Sequence, residues 1–280
     1  MRAPGTRKFP YWPGPWAWLG LSLAWVGLAG CATSSGTDWP AAQRSGGDIM
    51  TASDEPDTRK RARIRLELAL GYFEQGQTAV ALDELKQALA IDPAFAPAHN
   101  LRGLIYMRLN DLRTAEEGFR RALQLSPRDP AVMHNLAWLL CQQSRWQEAS
   151  QRFEQALADP QYLERAKTFR ALGLCQARAG QLAEAERSLV KSFEFDAGNP
   201  VTSFNLASLM YQRGELTGAR FHLRRLNNSE LANAETLWLG IKVERALDSR
   251  EAVLQLSAQL IKRFPQSRET AAFQRGAFDE

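Results

Sequence analysis

From Ala62 onward the chain repeats itself every 34 residues, and no single-domain fold accommodates a period of that length. Position eight of successive units reads Ala69, Gly103, Ala137, Gly173 and Ala207; position twenty reads Ala81, Ala115, Ala149, Ala185 and Ala219. Small residues at two fixed offsets are what a pair of antiparallel helices needs where their backbones touch. Position fifteen reads Gly76, Asn110, Ser144, Gly180, Gly214 and Asp248, residue types that tolerate a left-handed turn where a first helix ends. Position twenty-four is bulky (Leu85, Phe119, Phe153, Leu189, Leu223) and is expected to pack back onto the first helix. Pro93 and Pro127, again 34 apart, stop the second helix before the next unit begins.

These columns are identified as the tetratricopeptide pattern. The expected fold is all-α, a right-handed superhelix of about six helix-turn-helix units starting near 62, 96, 130, 166, 200 and 234. Two extra residues fall in the Asp159-Pro160 turn between units three and four. Unit six is degenerate, with Ile241 and Val253 where small residues are expected, as suits the end of a stack. Residues 59–270 are assigned to the repeat domain and 271–280 to a tail, with a partial helix expected somewhere in 266–280.

The N-terminus has a different grammar. Arg2, Arg7 and Lys8 precede an apolar run over residues 16–30, too short for a comfortable membrane span and bounded by Pro10, Pro13 and Pro15. The run ends Leu28-Ala29-Gly30-Cys31, which resembles the lipobox of bacterial lipoproteins. The resemblance implies cleavage after residue 30 and diacylglyceryl and acyl (palmitate-type) modification of Cys31; an uncleaved anchor or conventional signal peptide is the competing reading. Ala32, rather than Asp, after the cysteine implies outer-membrane sorting on the periplasmic face. Residues 31–58 then read as a lipidated tether rich in Ser, Thr, Gly, Asp and Pro, with a coil span of roughly 30 Å.

Charge and cysteine usage narrow the function classes. The net charge is +4, but without the leader 32 basic face 31 acidic residues, so bulk electrostatics gives no reason to expect a nucleic-acid partner. Cys141 and Cys175 remain once Cys31 is assigned. A disulfide between them is conceivable in an oxidising compartment, while two small buried hydrophobes is the favoured reading. No zinc spacing accompanies them, and His99, His134 and His222 fall in different units without a carboxylate partner. No catalytic motif stands in its required context, so neither an enzyme nor a cofactor, metal or small-molecule substrate is expected.

Binding is therefore the expected use, through the concave face that first-helix positions two, five, nine and twelve line. Units one to three supply Phe73, Asn100, Leu104, Met107, His134 and Trp138, with Leu66, Leu70 and Cys141 in the same columns. Unit four adds Arg170, Leu174 and Ala177, unit five Phe204 and Tyr211, and Arg108 and Arg178 stand at position thirteen. Such a surface suits an apolar helix face or an extended peptide. Trp138 and Met107 are the preferred anchors. Arg59-Lys60-Arg61 with Arg63 and Arg65 reads as a solvated first turn, with anionic lipid or a partner as the competing reading.

Lipobox, tether and six repeats together resemble the PilF/PilW family of type IV pilus biogenesis lipoproteins. The most specific match is the stretch from Leu237 through Trp238, Gly240, Lys242 and Glu244 to Asp248, followed by Arg263-Phe264-Pro265-Gln266-Ser267. The resemblance implies an outer-membrane pilotin that binds subunits of the pilus secretin and promotes their localisation and multimerisation. The alternative is a general envelope scaffold recruiting peptidoglycan or outer-membrane assembly factors.

Overall fold

The computed structural model describes residues 55–278, which form thirteen α-helices and no strand. Six helix pairs follow one another: α1 (Asp57–Glu74) with α2 (Thr78–Ile91), α3 (Ala96–Arg108) with α4 (Leu112–Leu125), α5 (Pro130–Gln142) with α6 (Trp146–Leu157). The series continues with α7 (Arg165–Arg178) and α8 (Leu182–Phe195), α9 (Pro200–Gln212) and α10 (Leu216–Asn227), then α11 (Ala234–Ala246) and α12 (Arg250–Arg263); α13 (Arg268–Arg275) closes it. Each helix packs on its sequence neighbours, and first helices also touch in series (α1 on α3, α3 on α5, α5 on α7, α9 on α11). This is the all-α tetratricopeptide stack that the period predicts.

The turn column explains the hairpins. Gly76, Gly180 and Gly214 have φ of 76–78°, and Asn110, Ser144 and Asp248 adopt 52–59° without being glycine. At every one of the six, the left-handed residue donates its N–H to the carbonyl three back, and the next residue donates to the carbonyl five back. That is a Schellman stop, repeated six times, which satisfies the orphan carbonyls and turns the chain.

The small columns explain the pairing distance. All five alanines at position twenty are fully buried, as are Ala69, Ala137 and Ala207 at position eight. A Cβ added to Gly103 would lie 2.4 Å from the Phe119 ring, and one added to Gly173 would lie 2.7 Å from Leu189 Cγ. Phe119, Phe153, Leu85 and Leu189, the bulky column, are buried at 0–1% exposure. Unit six keeps the principle one residue out of register: Ile241 is buried, and Gly240 is the close-approach residue, against the Asn227 amide of α10.

Three features differ from the sequence expectations. Cys141 and Cys175 are paired in a disulfide, Cα atoms 5.8 Å apart, linking α5 to α7. Consecutive first helices lie side by side, so two buried cysteines 34 residues apart are brought face to face, and unpaired thiols are not the outcome. The helical domain begins at Asp57, inside the stretch assigned to the tether. At the other end α13 crosses the 270/271 boundary, and Phe273 and Phe278 pack on Trp238, so the proposed tail belongs to the stack. The leader, Cys31 and the tether up to residue 54 lie outside the described residues.

Two outcomes follow. Gly103→Ala should cost about 1–3 kcal/mol because Phe119 must give way, whereas Gly71→Ala, with nothing within 4 Å of the added Cβ, should gain about 0.5–1 kcal/mol; urea unfolding of the two variants checks the contrast. Reducing the disulfide, or Cys141→Ser with Cys175→Ser, should lower stability by about 3–4 kcal/mol, since it opens a 34-residue loop in the unfolded chain. Unfolding with and without reductant measures it.

Candidate partner-binding groove

The inner face is built by first helices, and the columns that line it carry a run of half-buried apolar side chains. Phe73 packs against the core of units one and two; Leu104 packs on that core and on the next; Met107 and Trp138 pack on the core of units two to four. One side of each is thus held by the repeats and the other is left on the face. Leu174 and Arg170 are half-buried, and Leu70 is 43% exposed. Asn100 accepts a 3.0 Å hydrogen bond from the Asn135 side chain, a rung between units two and three.

Cations cover aromatics at alternate junctions of this face. Arg108 of unit two lies 3.7 Å from the Phe73 ring centroid and donates to the Phe73 carbonyl. Arg178 of unit four lies 5.1 Å over Trp138, and Lys242 of unit six lies 5.7 Å over Tyr211. Each pair ties two units together while leaving a charged edge beside an apolar patch. Trp138 is therefore a half-covered ring and not a fully exposed one.

His134 does not belong to the face. It is buried at 6% exposure, its Nδ1 lies 2.8 Å from Thr168 Oγ1, and its ring meets Phe153 edge-on. Tyr162, two residues beyond the Asp159-Pro160 insertion, shares the same hydroxyl at 3.0 Å. Burial, with the nearby positive charges of Lys167 and Arg170, depresses the imidazole to about 4. Cys141, in the same column set, is buried in the disulfide. Four of the five cations in the basic run of α1 pair within the chain: Arg59 with Asp92, Lys60 with Asp57, Arg63 with Glu55 and Glu67, Arg65 with Glu84.

A cavity also lies at the end of the stack. Between α9, α11 and α13 a pocket of about 560 Å³ is lined by Phe204, Trp238, Leu239 and Ala272 together with Ser208, Glu235, Lys242, Arg268, Glu269 and Arg275. Glu235, Trp238 and Lys242 occupy positions two, five and nine of unit six, so the lining rule extended by one unit finds three of them. The α13 wall has no repeat signature. Arg268 bridges two carboxylates, donating to Glu269 and, at 2.8 Å, to Glu235. Burial pushes the Glu269 carboxyl up, but the Arg268 hydrogen bond and charge, with its backbone and Ser267 hydrogen bonds, together hold the group below the usual carboxylate range. Trp238 is fixed behind by stacking on Phe278, over which Arg245 lies at 3.9 Å. Among the described residues no three His, Cys, Asp or Glu side chains gather as a metal site, and no helix is long and apolar enough to cross a membrane.

A stack of helix pairs with an apolar, cation-edged inner face defines a tetratricopeptide scaffold for protein–protein interaction. The tetratricopeptide repeat family matches residues 70–110, 95–159 and 134–200. The type IV pilus assembly protein PilF of Pseudomonas aeruginosa is 31% identical over 249 residues, covering 89% of this chain and 94% of that protein. The chain belongs to the PilF/PilW family of type IV pilus biogenesis proteins. Its structure is similar to that of P. aeruginosa PilF (TM-score 0.72, 29% identity, 79% of this chain and 100% of the other). It is also similar to that of PilW, a widely conserved type IV pilus biogenesis factor (TM-score 0.70, 30% identity, 76% and 98%).

The buried imidazole sets a pH dependence. Neutral in the fold down to about 4 but protonated near 6.5 when unfolded, His134 contributes full stability above pH 6.5 and loses it as the pH falls toward 4. Between pH 7 and 5 the loss should be about 2 kcal/mol. His134→Gln should remove most of that slope in urea unfolding; His222, also lowered by burial, adds to it in the same direction.

Proposed function

We propose that this chain is a lipid-anchored outer-membrane protein of type IV pilus biogenesis. It binds subunits of the pilus secretin through the inner face of its stack and promotes their outer-membrane localisation and multimerisation. The observation that carries the reading is family membership over nearly the whole chain, joined to an inner face whose apolar run from Phe73 through Leu104 and Met107 to Trp138 stays half-open. The lipobox ending at Cys31 supplies the address: lipid sets the destination, the tether gives reach, and the groove holds a protomer segment. Leu174, Arg170, Asn100 and Arg108 flank that run as polar and apolar contacts for the bound segment. The carrier role needs no chemistry beyond binding.

Secretin multimers in fractionated membranes test this. Deletion of the gene should abolish outer-membrane multimers, and Cys31→Ala at equal expression should strand them in the inner membrane. Leu70→Asp, at an exposed groove position, and Met107→Ala with Trp138→Ala should each weaken secretin capture by about tenfold or more, with helical content by circular dichroism as the folding control. Normal outer-membrane multimers in the deletion and Cys31→Ala strains would reject the function and leave a scaffold with another partner.

A further inference from the structure

The pocket between α9, α11 and α13 is not needed to stack repeats. The terminal helix packs on the last unit and still leaves a cavity beside it, to which it contributes Arg268, Glu269, Ala272 and Arg275. The position of α13 is firmly set: Ser267 caps its N-terminus by accepting from Thr270 N–H, Thr270 Oγ1 donates to the Phe264 carbonyl at 2.8 Å, and Phe273 and Phe278 close on Trp238. The result is a preformed cavity of about 560 Å³ that mixes apolar walls with charged side chains, within the range of built ligand sites. The stretch containing Trp238, Leu239 and Lys242, with Phe264 and Ser267 ahead of α13, is the segment that sets this chain apart from generic repeats, and it builds this pocket.

Charge narrows the occupant. Three cations (Lys242, Arg268, Arg275) and two carboxylates (Glu235, Glu269) line the pocket. The lining is positive by one. The same bias runs the length of the inner face: at positions two, five, nine, twelve and thirteen of the six units, cations outnumber carboxylates by seven to two. Apolar walls with a net positive charge beside them match an apolar side chain with carboxylates next to it.

We infer that this pocket receives a large apolar side chain of a partner protein segment whose flanking residues are acidic, and that the positive inner face carries the rest of that segment. The inference rests on the proposed function only in taking the occupant to be a protein segment.

The probe is a fluorescent eight-residue peptide with a central Phe-Leu pair between glutamates, titrated by anisotropy against the full chain. Two control peptides carry lysines for the glutamates or an Ala-Ala pair for Phe-Leu. The acidic apolar peptide should bind at least about tenfold more tightly than either control, and more weakly as NaCl rises from about 50 to about 300 mM. Ala272→Trp, which fills the cavity, and Lys242→Glu, which reverses a charge in its lining, should each cost about tenfold. Equal binding of the lysine peptide, indifference to both substitutions, or no binding at millimolar concentration overturns the inference. Secretin capture separates the two claims. Capture that survives Ala272→Trp and Lys242→Glu sinks the pocket and spares the function. Peptide binding without secretin capture spares the pocket and sinks the secretin assignment.

Discussion

The backbone approach at the small columns governs everything else in this molecule. Where Gly103 or Ala137 on a first helix meets the second, there is room for a methyl at most, and at Gly103 not even that. The closeness lets Phe119 and Phe153 reach across and be buried completely. A single hairpin built this way still leaves one apolar face open, so each unit depends on its neighbours and the stack is stable only as a series. The left-handed stops at Gly76, Asn110 and their counterparts fix where each hairpin turns, so every first helix arrives on the same side. The inner face is a consequence of that registration.

A face assembled from equivalent positions inherits the interactions between units. Arg108 on Phe73, Arg178 on Trp138 and Lys242 on Tyr211 all pair a cation with an aromatic of the preceding unit. These contacts bind unit to unit and also fix where charge sits on the face, so packing and recognition are not separable there. The disulfide from Cys141 to Cys175 acts in the same direction, tying α5 to α7 in the middle of the stack.

The periodicity made the hairpins, their turns and most of the groove legible, because a column is one physical environment sampled six times. It failed where an environment occurs once. His134 stands in a lining column, but Thr168 of α7 hydrogen-bonds to it, Tyr162 of the preceding turn bonds to the same hydroxyl, and the ring is buried. The cysteine pairing needed the side-by-side geometry of consecutive first helices, which spacing alone leaves open. The α13 wall escaped for the same reason: no column contains it, and Ala272 is meaningful only once Trp238 and Phe204 are seen opposite.

That asymmetry bears on where specificity can reside. A residue in the middle of the stack serves two neighbours at once, so changes that suit a partner are constrained by packing on both sides. The last unit has one neighbour and a cap. Its attachment is correspondingly strong and local: Glu244, 5% exposed, receives Arg220 at 2.7 Å, and Arg220 also donates to Ser249. A buried pair of this kind adds little net stability over an apolar contact, but it penalises any other placement of α11 on α10. With α11 so oriented, Trp238 and Lys242 are aimed at the inner face and α13 is free to be shaped around them. At the end of the stack a cavity can thus be shaped by a cap as well as by neighbouring repeats.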